Sequence, residues 1–315
     1  MRRSNTLNDI GNTPLYRLKG IEYLLDLKFE LYAKVEAYNP SGSIKDRVAD
    51  SVIIDAYGEG TLHTNEEVVE ATSGNMGIAL AYCTSLMDLR CTIFMPSSAS
   101  KERKQMMEMY GAKVILVDGA MKDAKDAAEK YVKENPDTFY FDQFNNPGAV
   151  EAHRATGIDI VNDLTHEDEF PVLPDYLIAG IGTGATIVGV ASRLKEISEG
   201  YNLAKPVIVG VEPASSPLLT KGETGRHLIQ GLGPNFKPSI LDTSLIDEVV
   251  DAKNEDAYRW TRLLVKHEGL FLGISSGAAM AGLEQIKDQI KEGSKVVVIF
   301  PDRGDRYLSV EGLYE

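Results

Sequence analysis

The sequence predicts an α/β protein of two lobes, each a mostly parallel sheet covered by helices. Eight apolar, β-branched runs recur along the chain with helical patterns between them, as parallel strands joined by helical crossovers require. At 315 residues the chain is long enough for two cores. Near its middle the segment "FNNPGAVEAH" (144–153) punctuates the pattern with Asn, Pro and Gly, which divides the chain into lobes at 1–147 and 148–315.

In chain order the strand candidates are "LYAKVE" (31–36), "EVVEAT" (67–72), "CTIFM" (91–95), "AKVILV" (112–117) and "TFYFD" (138–142) in the first lobe. The second lobe supplies "DYLIAG" (175–180), "PVIVGVE" (206–212) and "KVVVIF" (295–300). Helical patterns separate them. Over 75–87, Met76, Ala79, Leu80, Cys83 and Met87 fall on one face, and "KDRVADSVIIDAY" (45–57) reads as a helix opening on a lysine.

Composition excludes several functions. A net charge of -14 opposes binding to nucleic acid or to an anionic membrane by bulk attraction. Two cysteines, Cys83 and Cys91, support neither a disulfide framework nor a cysteine metal cluster, and read as buried thiols of a cytoplasmic protein. The histidines lack ligand spacing, so no metal is expected. The start of the chain lacks the apolar run of a signal peptide, and no stretch is apolar for long enough to span a bilayer.

Ligands of α/β sheets collect at the carboxyl ends of strands, so four strand-end loops carry the functional reading. In "NPSGSIKDR" (39–47), Lys45 falls in the first turn of a helix. The positive helix end and partial burial both favour its neutral amine, a nucleophile for an aldehyde; the alternative is a solvated lysine paired with Asp46. In "ATSGNMG" (71–77), Thr72, Ser73, Gly74 and Asn75 offer hydroxyl, amide and backbone donors to a carboxylate, or simply cap a helix. In "GIGTGATI" (180–187), Gly182, Thr183, Gly184, Ala185 and Thr186 can turn N–H groups and hydroxyls onto a phosphate. The same stretch weakly fits the dinucleotide pattern Gly180-x-Gly182-x-x-Ala185, which keeps a nicotinamide dehydrogenase open, although Glu212 lies too far on for the expected acidic residue. In "GISSGAAMAG" (273–282), Ser275 and Ser276 open a small-residue helix, where a hydroxyl can cap or can meet a ring nitrogen.

Singly, each loop is explained as a turn or cap. Together they meet the needs of a pyridoxal phosphate enzyme acting on an amino acid. The chain resembles the cysteine synthase (O-acetylserine sulfhydrylase) and cystathionine β-synthase family of fold type II pyridoxal phosphate enzymes, which are tryptophan synthase β-like. The likeness runs from "IGNTPLYRL" (10–18) through "NPSGSIKDR", "TSGNMGIALA", "DQFNNPGA" and "GTGAT" to "GISSGAA" and "PDRGDRYLS" (301–309).

The resemblance implies a homodimer with the cofactor in a cleft between the lobes, segment 13–35 pairing with the larger lobe, and serine acetyltransferase as a candidate partner. It implies that Lys45 holds pyridoxal 5'-phosphate as a Schiff base, that Asn75 bonds the ring hydroxyl oxygen, that Gly182 to Thr186 hold the phosphate, and that Ser275 faces the pyridine nitrogen. Thr72, Ser73, Asn75 and Gln143 would take the substrate carboxylate. The implied activity is β-replacement through an aminoacrylate, O-acetylserine and sulfide giving cysteine and acetate.

Three positions depart from the usual family pattern: Met76 stands where threonine is usual, Ala185 where glycine is, and Arg303 where serine is. Arg303 suits a second carboxylate or a phosphorylated donor, or else pairs with Asp302 or Asp305 at the surface. The alternatives are therefore O-phosphoserine or cysteine as donor, and an amine nucleophile, as in the branch that makes a diaminopropionate precursor. A lanthionine-forming or sulfide-releasing cysteine lyase and a non-catalytic paralogue also stay open.

Overall fold

The computed structural model describes residues 5–166 and 168–315. Its first elements are β1 (Leu15–Arg17), α1 (Lys19–Leu24), β2 (Glu30–Val35), α2 (Lys45–Gly58), β3 (Glu67–Ala71), α3 (Asn75–Ser85) and β4 (Arg90–Pro96). There follow α4 (Lys101–Met109), β5 (Lys113–Val117), α5 (Met121–Glu134), β6 (Thr138–Tyr140), α6 (Gly148–Thr165), β7 (Tyr176–Gly180) and α7 (Ala185–Tyr201). The chain ends through β8 (Val207–Pro213), α8 (Leu218–Lys221), β9 (Glu248–Ala252), α9 (Asn254–Glu268), α10 (Ile274–Ile286) and β10 (Lys295–Phe300). Two compact units result, one of 5–10 with Asn39–Ala152, the other of Gly11–Tyr38 with His153–Glu315.

The first unit is built on a parallel sheet in the order β5-β4-β3-β6. Every residue of β3 is buried, as a central parallel strand covered on both faces requires. Side chains alternate across a strand, so Val69 and Ala71 point to one face, where they pack with Phe94 and with Ala124 and Ala128 of α5. Val68 and Glu70 point to the other. Parallel pairing of β3 with β6, Val69 opposite Tyr140, brings the carboxyl ends of both strands to one edge of the sheet.

The second unit holds six strands in the order β1-β2-β10-β7-β8-β9, parallel except that β1 runs antiparallel to β2. An early segment of the chain thus completes the later unit, with β2 pairing along its whole length to β10. Trp260, Phe300, Leu31 and Leu283 lie in its core. Helices α9 and α10 pack so closely that a Cβ on Gly277 would fall 2.0 Å from the Ala257 carbonyl oxygen.

All eight expected strands form, "KVVVIF" (295–300) with the expected bounds and the others with ends shifted by at most two residues. Strands β1 and β9 go beyond that expectation. Strand β1 is only three residues long, too short to show a period, and β9 is an edge strand whose residues are mostly half-buried and include Glu248 and Asp251. Both thiols are buried, and burial pushes the Cys91 thiol up to about 12, which leaves it inert. Among the described residues no helix is long and apolar enough to cross a membrane.

The close approach at Gly277 yields a stability test. Gly277→Ala should cost roughly 1–3 kcal/mol by overpacking. Gly200→Ala, where an added Cβ meets nothing within 4 Å, should be neutral or slightly stabilising. Urea unfolding of both variants checks the contrast, and equal midpoints would contradict it.

Candidate active site

In the first unit Lys45 is the first residue of α2, and the Ser43 hydroxyl accepts its backbone N–H at 3.3 Å. The preceding turn passes through Gly42 at φ +92°, a conformation that glycine adopts without strain. Asp46 is buried and accepts the Ser41 N–H at 2.6 Å as well as the Ser41 hydroxyl, so its carboxylate fastens the loop. The alternative of a solvated Lys45–Asp46 pair does not form: Lys45 is half-buried and makes no ion pair among the described residues.

Burial pushes the Lys45 amine down to about 8, against the opposing pull of Glu70's charge. Compared with an ordinary lysine, that raises the neutral fraction at pH 7 by ~300-fold.

Strand β3 ends at Ala71 and delivers the loop that opens α3. Thr72 is buried and its hydroxyl accepts the Gly74 N–H at 3.2 Å, an ST-turn that shapes the loop. Ser73 is exposed, and its carbonyl accepts from the Arg103 guanidinium at 3.3 Å. Asn75 begins α3 half-buried, while Met76 is buried in the same first turn. Gln143 comes from the loop after β6 and joins this one, its side-chain amide donating to the Ala71 carbonyl at 3.3 Å.

Beside these residues stands Glu70, which sequence reading passed over. It is 1% exposed, and its two carboxylate oxygens accept the N–H groups of Ala71 at 2.8 Å and of Gln143 at 3.1 Å. Burial pushes its carboxyl up to about 8, with the backbone hydrogen bonds opposing that shift.

The remaining predicted residues belong to the second unit. The loop from β7 to α7 needs its glycines: a Cβ on Gly182 would lie 2.4 Å from the Gly231 carbonyl oxygen, and Gly184 has φ +87°. The Thr183 hydroxyl accepts the Ala185 N–H at 3.4 Å. Ala185 is fully buried as the first residue of α7 and keeps a negative φ, so its methyl costs no backbone strain. The Thr186 hydroxyl lies 3.2 Å from Nε2 of buried His153, whose Nδ1 lies 3.2 Å from the Thr156 hydroxyl. His153 carries no motif of its own in the sequence.

Ser275 and Ser276 are buried in the first turn of α10, which packs on β7 and β10. Ser276 Oγ has no hydrogen-bond partner among the described residues. Arg303 is exposed, and its Nε donates to the Ala37 carbonyl at 2.9 Å rather than pairing with Asp302 or Asp305. Asp302 instead accepts the Tyr307 hydroxyl at 2.5 Å.

The family of pyridoxal-phosphate dependent enzymes matches residues 6–302. The chain belongs to that family. It is 40% identical over 313 residues to the cysteine synthase of Buchnera aphidicola, a match covering 96% of this chain and 95% of the relative. The solved cysteine synthase of Entamoeba histolytica superposes with a TM-score of 0.90 at 37% identity, covering 98% of this chain and 90% of that one. A hydrogen sulfide-producing enzyme from Fusobacterium nucleatum superposes with a TM-score of 0.89 at 38% identity, covering 97% and 100%.

This pyridoxal-phosphate dependent enzyme has the fold type II architecture of those neighbours, and its cofactor is pyridoxal phosphate. Membership removes the nicotinamide reading of Gly180-x-Gly182-x-x-Ala185. The chain's own chemistry fits the cofactor. Lys45 offers an amine of lowered pKa for an aldehyde. A glycine loop at the start of the 17-residue α7 offers first-turn N–H groups for a phosphate. Buried serine hydroxyls open α10.

The lowered Lys45 pKa is open to measurement. In cofactor-stripped protein, acetylation of Lys45 by acetic anhydride should rise with pH about a midpoint near 8. Peptide-resolved mass spectrometry reads that midpoint, and one above about 10, the ordinary lysine range, would contradict the effect of burial.

Proposed function

We propose that this chain is a cysteine synthase, catalysing β-replacement on O-acetylserine with sulfide to give cysteine and acetate. The observation that carries the reading is Lys45: a half-buried amine at a helix N-terminus with its pKa lowered to about 8, in a chain 40% identical to a cysteine synthase along nearly its whole length. When bound, pyridoxal phosphate supplies an electron sink that makes the Cα proton of an amino acid acidic and eases departure of a β-substituent.

Lys45 would carry the cofactor covalently and, as a free amine, take the Cα proton as general base. Its depressed pKa keeps part of the amine neutral near neutral pH, which both roles require. Gly182, Thr183, Gly184, Ala185 and Thr186 would hold the phosphate, His153 fixing the Thr186 hydroxyl. Asn75 would bond the ring hydroxyl oxygen. Ser275 would face the ring nitrogen, where a neutral hydroxyl, unlike a carboxylate, does not enforce protonation. Thr72, Ser73, Asn75 and Gln143 would bind the substrate carboxylate, with the α3 N-terminus adding its positive end. Met76, buried, would contribute an apolar wall to that receptor in place of a hydroxyl.

The reading extends to a homodimer in the cytoplasm with serine acetyltransferase as a candidate partner, in line with the family resemblance. A second reading rests on Arg303. Its Nε is fixed on the Ala37 carbonyl, while its terminal nitrogens make no hydrogen bond among the described residues and remain available to an anion. That favours O-phosphoserine as donor, or a carboxylate-bearing nucleophile. Running from cysteine, the same groups would release sulfide.

An absorbance screen of the holoenzyme with O-acetylserine, O-phosphoserine, serine and cysteine, each followed by sulfide or an amine, tests the reading. O-acetylserine should perturb the cofactor's visible band most efficiently, and sulfide should restore it with release of cysteine. No response to any serine derivative would favour a non-catalytic paralogue. In the same screen, Arg303→Ser should weaken O-phosphoserine at least tenfold more than O-acetylserine if Arg303 receives an anion; equal effects would remove the second reading. Gly182→Ala should raise the dissociation constant for pyridoxal phosphate at least tenfold, whereas Ala185→Gly should leave it within about threefold, since only the first forces a Cβ against backbone. Fluorescence titration of stripped protein separates these outcomes.

A further inference from the structure

Glu70 is a carboxyl group buried on a strand with no basic side chain paired to it among the described residues. Such a group is costly to bury unless hydrogen bonds replace its hydration. Both its partners are donors: the backbone N–H of Ala71, where β3 gives way to the α3 loop, and the backbone N–H of Gln143, in the loop after β6. A carboxylate has two acceptor oxygens and can serve both. A carboxamide of the same shape can serve one, and turns its NH₂ toward the other donor.

The surrounding chain is built around this junction. Phe141 N–H reaches the Val69 carbonyl at 3.0 Å, the last link between the strands. The backbone then turns through Asp142 at φ +46°, a conformation uncommon outside glycine, with its carboxylate held by the Asn145 amide at 2.8 Å. Gln143 emerges from that turn, gives its N–H to Glu70 and returns its side-chain amide to the Ala71 carbonyl. Glu70, Ala71 and Gln143 thus close a ring of three hydrogen bonds across two strand ends. Arg103 holds the far side of the same loop through the Ser73 carbonyl.

We propose that Glu70 is a positioning residue, its carboxyl group holding the β3–α3 loop and the β6–α6 loop in one register so that Thr72, Ser73 and Gln143 converge on a single substrate carboxylate. The inference deepens the proposed function and rests on its assignment of those residues to the amino-acid carboxylate. Lys45 feels the charge of Glu70, so a purely electrostatic role is the competing explanation. Reach and charge separate the two. Glu70→Gln keeps reach, removes one acceptor and removes the charge that the carboxyl takes on as pH rises past about 8. Glu70→Asp keeps charge but is shorter by a methylene and cannot span both donors.

The test uses holoenzyme of wild type and both variants, with hydrogen–deuterium exchange of peptides covering 71–77 and 141–147 and steady-state kinetics with O-acetylserine. Positioning predicts that in both variants exchange of the two loops rises together at least tenfold while peptides from β4 and β5 stay unchanged. It also predicts that KM for the donor rises at least tenfold with kcat within about threefold. Wild-type behaviour of Glu70→Asp would overturn the proposal in favour of charge. So would unchanged exchange in either loop, accelerated exchange throughout the first unit, or a loss confined to kcat. If the wild-type chain turns over no serine derivative, the assigned function fails, and the exchange comparison still decides whether Glu70 holds the two loops.

Discussion

Parallel pairing of β3 with β4 and β6 is the constraint on which the candidate site in the first unit depends. Parallel strands leave the sheet at a common edge, and each crossover helix begins near that edge with its unpaired N–H groups facing outward. The loop before α3 and the loop carrying Gln143 are therefore neighbours although distant in sequence. In the second unit the same rule sets the glycine loop at the head of α7, directly after β7. Both units so present positive helix ends next to small, donor-rich loops, the environment that carboxylates and phosphates favour.

Within that frame the electrostatics of Lys45 follow from solvation. A cation at the start of α2 meets a positive dipole end and a low-dielectric surrounding, and both disfavour the charged form. Glu70 works the other way, and being itself pushed toward its neutral form by burial, it compensates only in part. The balance leaves the amine titrating near 8, within reach of neutral pH. Asp46, the adjacent carboxylate in sequence, does not reverse this because it is engaged with the Ser41 N–H and hydroxyl.

Much of this was legible from residues alone. Unbroken apolar runs such as "KVVVIF" mark strands buried on both faces, and "ATSGNMG" and "GIGTGATI" mark loops by composition. Strands β1 and β9 escaped notice because edge strands carry a weak pattern. Glu70 escaped because it is one of two acidic residues in "EVVEAT" and resembles an exposed strand position; its burial comes from packing that the sequence does not display. His153 and Arg103 were missed for a similar reason, since each acts on a loop remote in the chain, Thr186 for one and Ser73 for the other. The three departures from the family pattern acquired physical meaning only in the fold. Met76 is buried, Ala185 sits helical and unstrained, and Arg303 is tied to the Ala37 carbonyl.

The central claim is that Lys45 is the residue that carries the cofactor. Borohydride reduction of the purified holoenzyme followed by peptide mapping tests it directly. A phosphopyridoxyl group on Lys45 alone is the expected result. The same group on another lysine, or on none, would contradict the claim.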